Sequence, residues 1–115
     1  MTDSTTVREL APAGRQHLAN RRGHELVAFE HGGQRYIGGI GRFADGRLAE
    51  IFLNCGKAGS AAETNARDSA IAASLLFQFG CPVDTIRHAL TRDGNGVASG
   101  PLGHLLDILV EGSHG

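Results

Sequence analysis

A glycine-rich stretch between an apolar segment and a helical one is the first candidate for chemistry. It reads IFLNCGKAGS over residues 51–60 and contains Gly56, Gly59, Ser60 and the only lysine of the chain, Lys57. Backbone N–H groups of such a turn, and of the helix start behind it, can hold an anion, and a lysine adds a point charge. These four residues are therefore predicted to bind a phosphate group. A purely structural turn is the alternative, since the Walker pattern G-x-x-x-x-G-K-[ST] is absent.

Arginines near the N-terminus are candidates to complete such an anion site. The segment over residues 15–24, RQHLANRRGH, contains three arginines and two histidines just before the first predicted strand. If this segment folds over a bound phosphate as a clamp, Arg21 and Arg22 are the residues predicted to contact it. A solvated tail with no binding role is the alternative interpretation.

The two cysteines of the chain are candidate redox thiols. Cys55 lies beside the glycine turn. Cys81 is predicted to be the N-cap residue of a helix with Pro82 in its first turn, where the helix dipole favours a thiolate. A structural role is the alternative, because no Cys-x-x-Cys motif is present and small buried cysteines are common. The six histidines lack the spacing of a zinc site and no G-x-S-x-G motif occurs, so no metal site and no catalytic residue is predicted.

Hydrophobic alternation predicts three strands that would position these residues. They cover residues 25–30, 34–43 and 47–54, and the pair Asp45 and Gly46 gives a strong hairpin signal between the last two. Both faces of the third strand are partly apolar, so helices are expected to cover at least one of them. Glycines in the middle strand indicate a bulge or a close approach of another group: Gly38, Gly39 and Gly41.

The second half of the chain is predicted to be helical. Ser60 and Glu63 form a capping-box pattern at the start of a long alanine-rich helix, which ends at Gly80. A short second helix follows at once, and a third begins near Pro101 with leucines at helical spacing. The predicted fold class is α+β, a three-stranded antiparallel meander followed by two to three helices packed on the sheet.

A chain of 115 residues is expected to form one compact domain. We predict that domain over residues 23–110, with a flexible basic arm over residues 1–22 and a frayed tail over residues 111–115. The formal net charge of -1 gives no overall attraction to nucleic acid or membranes, so any anion site must be local. No apolar run of about 20 residues and no signal-peptide pattern occurs, which predicts a cytoplasmic protein without a membrane partner.

Two long runs of the sequence resemble the TSCPD domain. They read DGRLAEIFLNCGKAGS over residues 45–60 and LFQFGCPVDTIRHAL over residues 76–90, with the alanine-rich helix between them. The TSCPD domain is found at the C-terminal end of vitamin B12-dependent (adenosylcobalamin) ribonucleotide reductases and in short free-standing proteins. The resemblance covers about residues 20–109 and implies a bacterial accessory domain connected with DNA biosynthesis.

The chain departs from that family at the motif that gives it its name. Where relatives carry Thr-Ser-Cys-Pro-Asp, residues 96–103 read GVASGPLG and contain no cysteine. The radical-generating cysteine, the substrate barrel and the cobalamin site of the larger reductases also lie outside this domain. The resemblance therefore implies no cofactor for this chain and no complete reductase activity.

Three functions follow as hypotheses. The leading one is a ribonucleotide-reductase-like accessory domain that is non-catalytic alone and binds a nucleotide, a nucleic acid or another phosphate-bearing partner. The second is a thiol-dependent oxidoreductase component in which Cys55 or Cys81 serves a separate reductase core. The third is a protein–protein interaction or oligomerisation module that docks on another chain through three leucines of the last helix: Leu102, Leu105 and Leu109.

Overall fold

The computed structural model describes residues 14–18, 24–56 and 59–112. The strands are β1 (Glu25–His31), β2 (Gln34–Arg42) and β3 (Leu48–Cys55), and the helices are α1 (Ala61–Gln78), α2 (Val83–Ala89) and α3 (Pro101–Gly112). The sheet is antiparallel with the order β1-β2-β3. The predicted α+β fold, a three-stranded meander followed by helices, is confirmed.

Local backbone chemistry sets the register of the sheet. The two-residue turn between β1 and β2 consists of Gly32 and Gly33, which have φ of 58° and 77° and so use the left-handed region that glycine adopts freely. Gly46, with φ of 95°, closes the turn before β3. The pairing of β2 with β3 shifts between Gly41 and Arg42, which confirms the predicted bulge.

Helix α1 lies along the free edge of β3. The Ser74 hydroxyl accepts a hydrogen bond from the Ile51 N–H at 2.8 Å, and the Gln78 amide donates one to the Ala49 carbonyl at 3.0 Å. The Ile51 N–H and the Ala49 carbonyl both point away from β2, so α1 supplies the hydrogen-bond partners that a further strand would otherwise provide. Small residues allow this close approach, since the buried residues of α1 are mostly alanine: Ala66, Ala70 and Ala73, with Phe77 and Gln78.

Helix α3 fills the core beneath β2. Leu105 and Leu106 are fully buried, and an added Cβ at Gly38 would lie 2.8 Å from Leu105 Cδ2. Gly38 is therefore required for the close approach that the glycines of the middle strand predicted. The docking role proposed for Leu102, Leu105 and Leu109 is wrong, because all three pack inside their own domain, where the helix meets the sheet.

Two element boundaries differ from the predicted ones. The N-cap residue of α2 is Pro82, not Cys81: its backbone is extended and its carbonyl accepts the hydrogen bond from Thr85 N–H at 3.1 Å. Helix α3 runs on to Gly112, which lies in the segment predicted as a tail. None of the helices formed by the described residues is long and apolar enough to cross a membrane.

Candidate functional site

The turn between β3 and α1 holds three of the residues predicted to bind phosphate. Gly56 is exposed, Gly59 has φ of 77°, and Ser60 is the N-cap residue of α1. The Ser60 hydroxyl accepts a hydrogen bond from the Glu63 N–H at 3.1 Å, and Glu63 Oε1 accepts one from the Gly59 N–H at 2.7 Å. The predicted capping box is thus present, with the carboxylate reaching the residue before the N-cap.

This capping box affects phosphate binding directly. The Glu63 carboxylate occupies the positive end of the α1 dipole and already uses the Gly59 N–H, which a phosphate oxygen would also need. An anion at this turn must compete with a fixed negative charge. The contacts of Gly59, Ser60 and Glu63 are therefore those of a capped helix start, while Lys57 lies outside the described residues and its role stays a prediction.

The part of the N-terminal arm that the structure describes lies at the opposite end of α1. Gln16 donates its backbone N–H to the Gln78 carbonyl at 2.7 Å, and Arg15 Nε donates to Gln78 Oε1 at 2.8 Å. Helix α1 has 18 residues. At the helical rise this puts its two ends about 27 Å apart. Arg21 and Arg22 lie outside the described residues, so their predicted contact with phosphate stays untested.

The two cysteines lie far from each other. Cys55 is buried at the end of β3 and its thiol donates to Gln34 Oε1 at 3.2 Å, whereas Cys81 is half-buried in a pocket beside Leu48, at the start of β3. Cys55 lies seven positions after Leu48 along the strand, which corresponds to about 23 Å. A disulfide needs Cα atoms within about 7 Å, so these two thiols do not form an internal redox pair.

Histidines form the first feature that the sequence analysis missed. The His31 Nε2 atom lies 2.9 Å from the Ser99 carbonyl oxygen, so it donates its proton there. In the neutral pair, His104 Nδ1 must then donate to His31 Nδ1 across their 3.0 Å contact. Phe29 stacks edge-on against His104, with ring centroids 4.9 Å apart. This cluster fastens the β1–β2 hairpin to α3, and no group of metal-ligating side chains was found in the described ranges.

A second missed feature is an ion-pair network around Asp107. Its carboxylate accepts hydrogen bonds from Arg87 Nε at 2.9 Å and from two nitrogens of Arg92 at 2.8 and 2.9 Å. The pKa of Asp107 is lowered to about 2, and the hydrogen bonds from Arg92 are the largest cause. Partial burial acts in the opposite direction, while the hydrogen bond from Arg87 lowers the pKa further. The network connects α2, α3 and the loop between them, which is a structural role.

The outer face of the sheet is the third feature. The three described helices, α1, α2 and α3, pack on the other face, where Tyr36, Ile40 and Leu53 are buried. On the outer face, Leu26 is 76% exposed and Phe52 is 48% exposed. Together with Ile37, Gly39, Asn54 and His24, these residues line a shallow depression, which we call the open face. The apolar residues on both faces of β3 were the sequence signal for it.

A polar contact borders the open face. His24 Nε2 lies 2.9 Å from Glu50 Oε2, and the His24 ring packs edge-on against Phe52 with centroids 5.5 Å apart. Glu50 is only 6% exposed although it points to the outer face. The open face thus combines an apolar centre with a charged group at one margin, which is the usual composition of a protein-binding patch.

The comparison with known proteins gives a partial match. No family model matches the chain, and no solved structure does. The vitamin B12-dependent ribonucleotide reductase of Agrobacterium fabrum is 36% identical over 77 residues, which cover 67% of this chain and 6% of that protein. The Bradyrhizobium diazoefficiens protein of the same name is 38% identical over 71 residues, or 62% of this chain and again 6% of the relative.

These matches confirm the resemblance to vitamin B12-dependent ribonucleotide reductases at the level of one region. The chain spans only about 6% of the length of the curated relatives that it matches. It is therefore related to one region of these reductases, and the match concerns that region alone.

Proposed function

We propose that this protein is an accessory domain of ribonucleotide reduction in the cytoplasm, without catalytic activity of its own, which docks on a larger reductase polypeptide through the open face. The observation that supports this most is the exposure of Leu26, Ile37 and Phe52 at neighbouring positions of three paired strands. Soluble domains rarely leave such a contiguous apolar patch without a partner.

The chemistry of the open face favours a protein partner. The residues that line it carry no lysine or arginine, so it offers no counter-charge to a nucleic-acid backbone. The centre is flat because Gly39 lies between Leu26 and Phe52: a Cβ at this glycine would be in contact with both side chains. A flat apolar surface suits an equally flat surface of a folded protein.

A reductase polypeptide is the partner that the comparisons support. In both relatives the matched region is part of a far longer chain. A domain within such a chain commonly packs against its neighbours through one of its faces. The same face on a separate domain is expected to make that contact between two chains.

The test is a calorimetric titration of the full chain into the vitamin B12-dependent ribonucleotide reductase of the same organism. We expect Leu26→Ser and Phe52→Ser each to raise the Kd at least about tenfold, since a tenfold change corresponds to about 1.4 kcal/mol and central anchors of an interface contribute about 2 kcal/mol or more. The matched controls are Ile71→Ser and Leu75→Ser on the outer surface of α1. These side chains are 58% and 40% exposed, so the two control substitutions remove an exposed apolar area similar to that of the sheet variants, but from another surface.

Two outcomes would contradict the proposal. Failure of the unmodified chain to bind the reductase would exclude this partner. Loss of binding with the α1 variants but not with the sheet variants would move the interface to the helix. Light scattering of the free chain is the check on self-association, because a dimer formed through the open face would also respond to Leu26→Ser.

Phosphate binding at the turn over residues 56–60 is a separate proposal. It predicts that Lys57→Ala combined with Arg21→Ala and Arg22→Ala weakens binding of ATP and flattens its dependence on salt. Glu63→Gln should have the opposite effect and strengthen ATP binding, because it removes the negative charge of the carboxylate from the helix start. An affinity that neither salt nor these substitutions change would refute it.

A further inference from the structure

A cavity of about 380 Å³ lies between α1, the loop after α2 and the start of α3. This volume is in the lower part of the range of small-molecule sites, which is about 300–1,000 Å³. The cavity lies on the inner side of the sheet, and none of its residues belongs to the open face. The residues that line it include Tyr36, Ala62, Asn65, Thr91, Leu102 and Gly103.

Tyr36 is the polar side chain that points to a ligand. The residue is only 5% exposed, yet its hydroxyl makes no hydrogen bond with the described residues. Among the described residues, every fully enclosed side-chain oxygen or nitrogen has a hydrogen-bond partner. The Tyr36 hydroxyl has none, so it is not fully enclosed, and the open space next to Tyr36 is this cavity. Burial raises the pKa of the Tyr36 phenol, and the nearby Cys55 thiol adds to this effect. The phenol therefore stays protonated at neutral pH and can donate a hydrogen bond.

The first turn of α3 provides backbone donors at the same cavity. The helix begins at Pro101, and the first described backbone bond in this turn is that from His104 N–H to the Gly100 carbonyl at 3.1 Å. The N–H groups of Leu102 and Gly103 precede it and have no acceptor among the described residues. Gly103 is buried, and a Cβ there would lie 3.1 Å from the Ala98 Cβ, so its backbone packs closely against Ala98.

The remaining wall decides which anion fits. None of the lining residues is an arginine, lysine, histidine or acidic residue, so nothing there would balance the charge of a di- or triphosphate. Alanine, leucine and proline side chains form the apolar part of the wall, while Asn65, Ser69 and Thr91 add neutral polar groups. A helix N-terminus compensates about half an elementary charge. This combination suits a singly charged head on an apolar body.

We infer that this cavity binds a small monocarboxylic acid with an aliphatic or aromatic body. The carboxylate accepts hydrogen bonds from the Tyr36 hydroxyl and from the first N–H groups of α3, and the body lies against the alanines of α1. This site is independent of the proposed docking through the open face, since the two lie on opposite sides of the sheet.

The test is a titration of the ¹⁵N-labelled full chain with sodium benzoate, followed by NMR, with benzamide as the neutral probe of the same shape. We expect benzoate to shift the amide signals of Leu102 and Gly103 with a Kd of about 1 mM, and benzamide to bind at least about fivefold more weakly. Tyr36→Phe should weaken benzoate binding about tenfold, which corresponds to one hydrogen bond to a charged group. Ala62→Met, which fills the cavity, should abolish binding, while Leu26→Ser should leave it unchanged.

Three results would overturn the inference. They are equal binding of benzamide and benzoate, benzoate shifts confined to residues outside the cavity, and no shifts at all. Each of these results is obtained with the unmodified chain, so the test remains decisive even if Tyr36→Phe fails to fold. Leu26→Ser changes only the open face, so it should weaken reductase docking and leave benzoate binding intact. Failure of the docking proposal and failure of the benzoate proposal can therefore be told apart.

Discussion

Replacing Asp107 with asparagine is expected to lower the free energy of unfolding by about 3 kcal/mol, because it leaves two arginines without their shared carboxylate. The Asp107, Arg87 and Arg92 side chains are 17%, 17% and 23% exposed, so water replaces the lost partner only in part. Urea denaturation at neutral pH measures this difference. Asp84→Asn is the matched control: Asp84 contacts the same Arg87 but is 66% exposed, and its loss should cost less than about 1 kcal/mol.

The effect of this substitution should depend on pH. The pKa of Asp107 is lowered from 3.8 in the reference state to about 2 in the folded protein. A lowered pKa contributes stability above the unfolded-state value, and this contribution is lost as the pH falls through the folded-state value. About 2 kcal/mol of stability should therefore disappear between about pH 4 and pH 2 in the unmodified chain. The same pH interval should have a much smaller effect on Asp107→Asn, and equal acid sensitivity of the two proteins would argue against the network.

Gly38→Ala is expected to destabilise the domain by about 2 kcal/mol through overpacking. The new Cβ would lie 2.8 Å from Leu105 Cδ2, and Leu105 is fully buried and cannot move without displacing its neighbours. Gly39→Ala is the control in the next position of the same strand. Its Cβ would lie 3.5 Å from Phe52 on the open face, which is an ordinary contact. This substitution should be neutral or slightly stabilising, since it restricts the unfolded chain.

A double variant tests the cause of the Gly38 effect. Leu105→Ala alone should cost about 2–5 kcal/mol, as large-to-small substitutions in a core do. In that background the extra methyl group of Gly38→Ala has space, so it should add little further destabilisation. Additive losses in chemical denaturation would mean that Leu105 is not the group that excludes the methyl.

Local patterns in the sequence were sufficient for the fold class. The Asp45–Gly46 hairpin signal, the Ser60–Glu63 capping box and the leucine spacing of the last helix each depend on residues a few positions apart, and the structure contains all of them. The N-cap of α2 was misplaced by one residue because a proline fits both the cap and the first turn, and the backbone conformation of Pro82 decides between them.

The sites depend on contacts that one sequence does not reveal. Tyr36 lies 65 or more positions before the first turn of α3, with which it shares a cavity, and Asp107 pairs with arginines 15 and 20 positions away. Which face of the sheet the helices cover was also open, because β3 is partly apolar on both faces. The capping box was predicted, but its consequence for phosphate binding required knowing that the Glu63 carboxylate reaches the Gly59 N–H.

The position of α1 beside β3 also determines how this sheet can be extended. Ser74 and Gln78 use the outward-facing backbone groups of Ile51 and Ala49, so a strand arriving from that side finds them taken. On the other side, β1 pairs only with β2 among the described strands. Among the described strands, β1 is therefore the one whose outer edge is left for an added strand, whether that strand comes from a partner or from a misfolded copy of the chain.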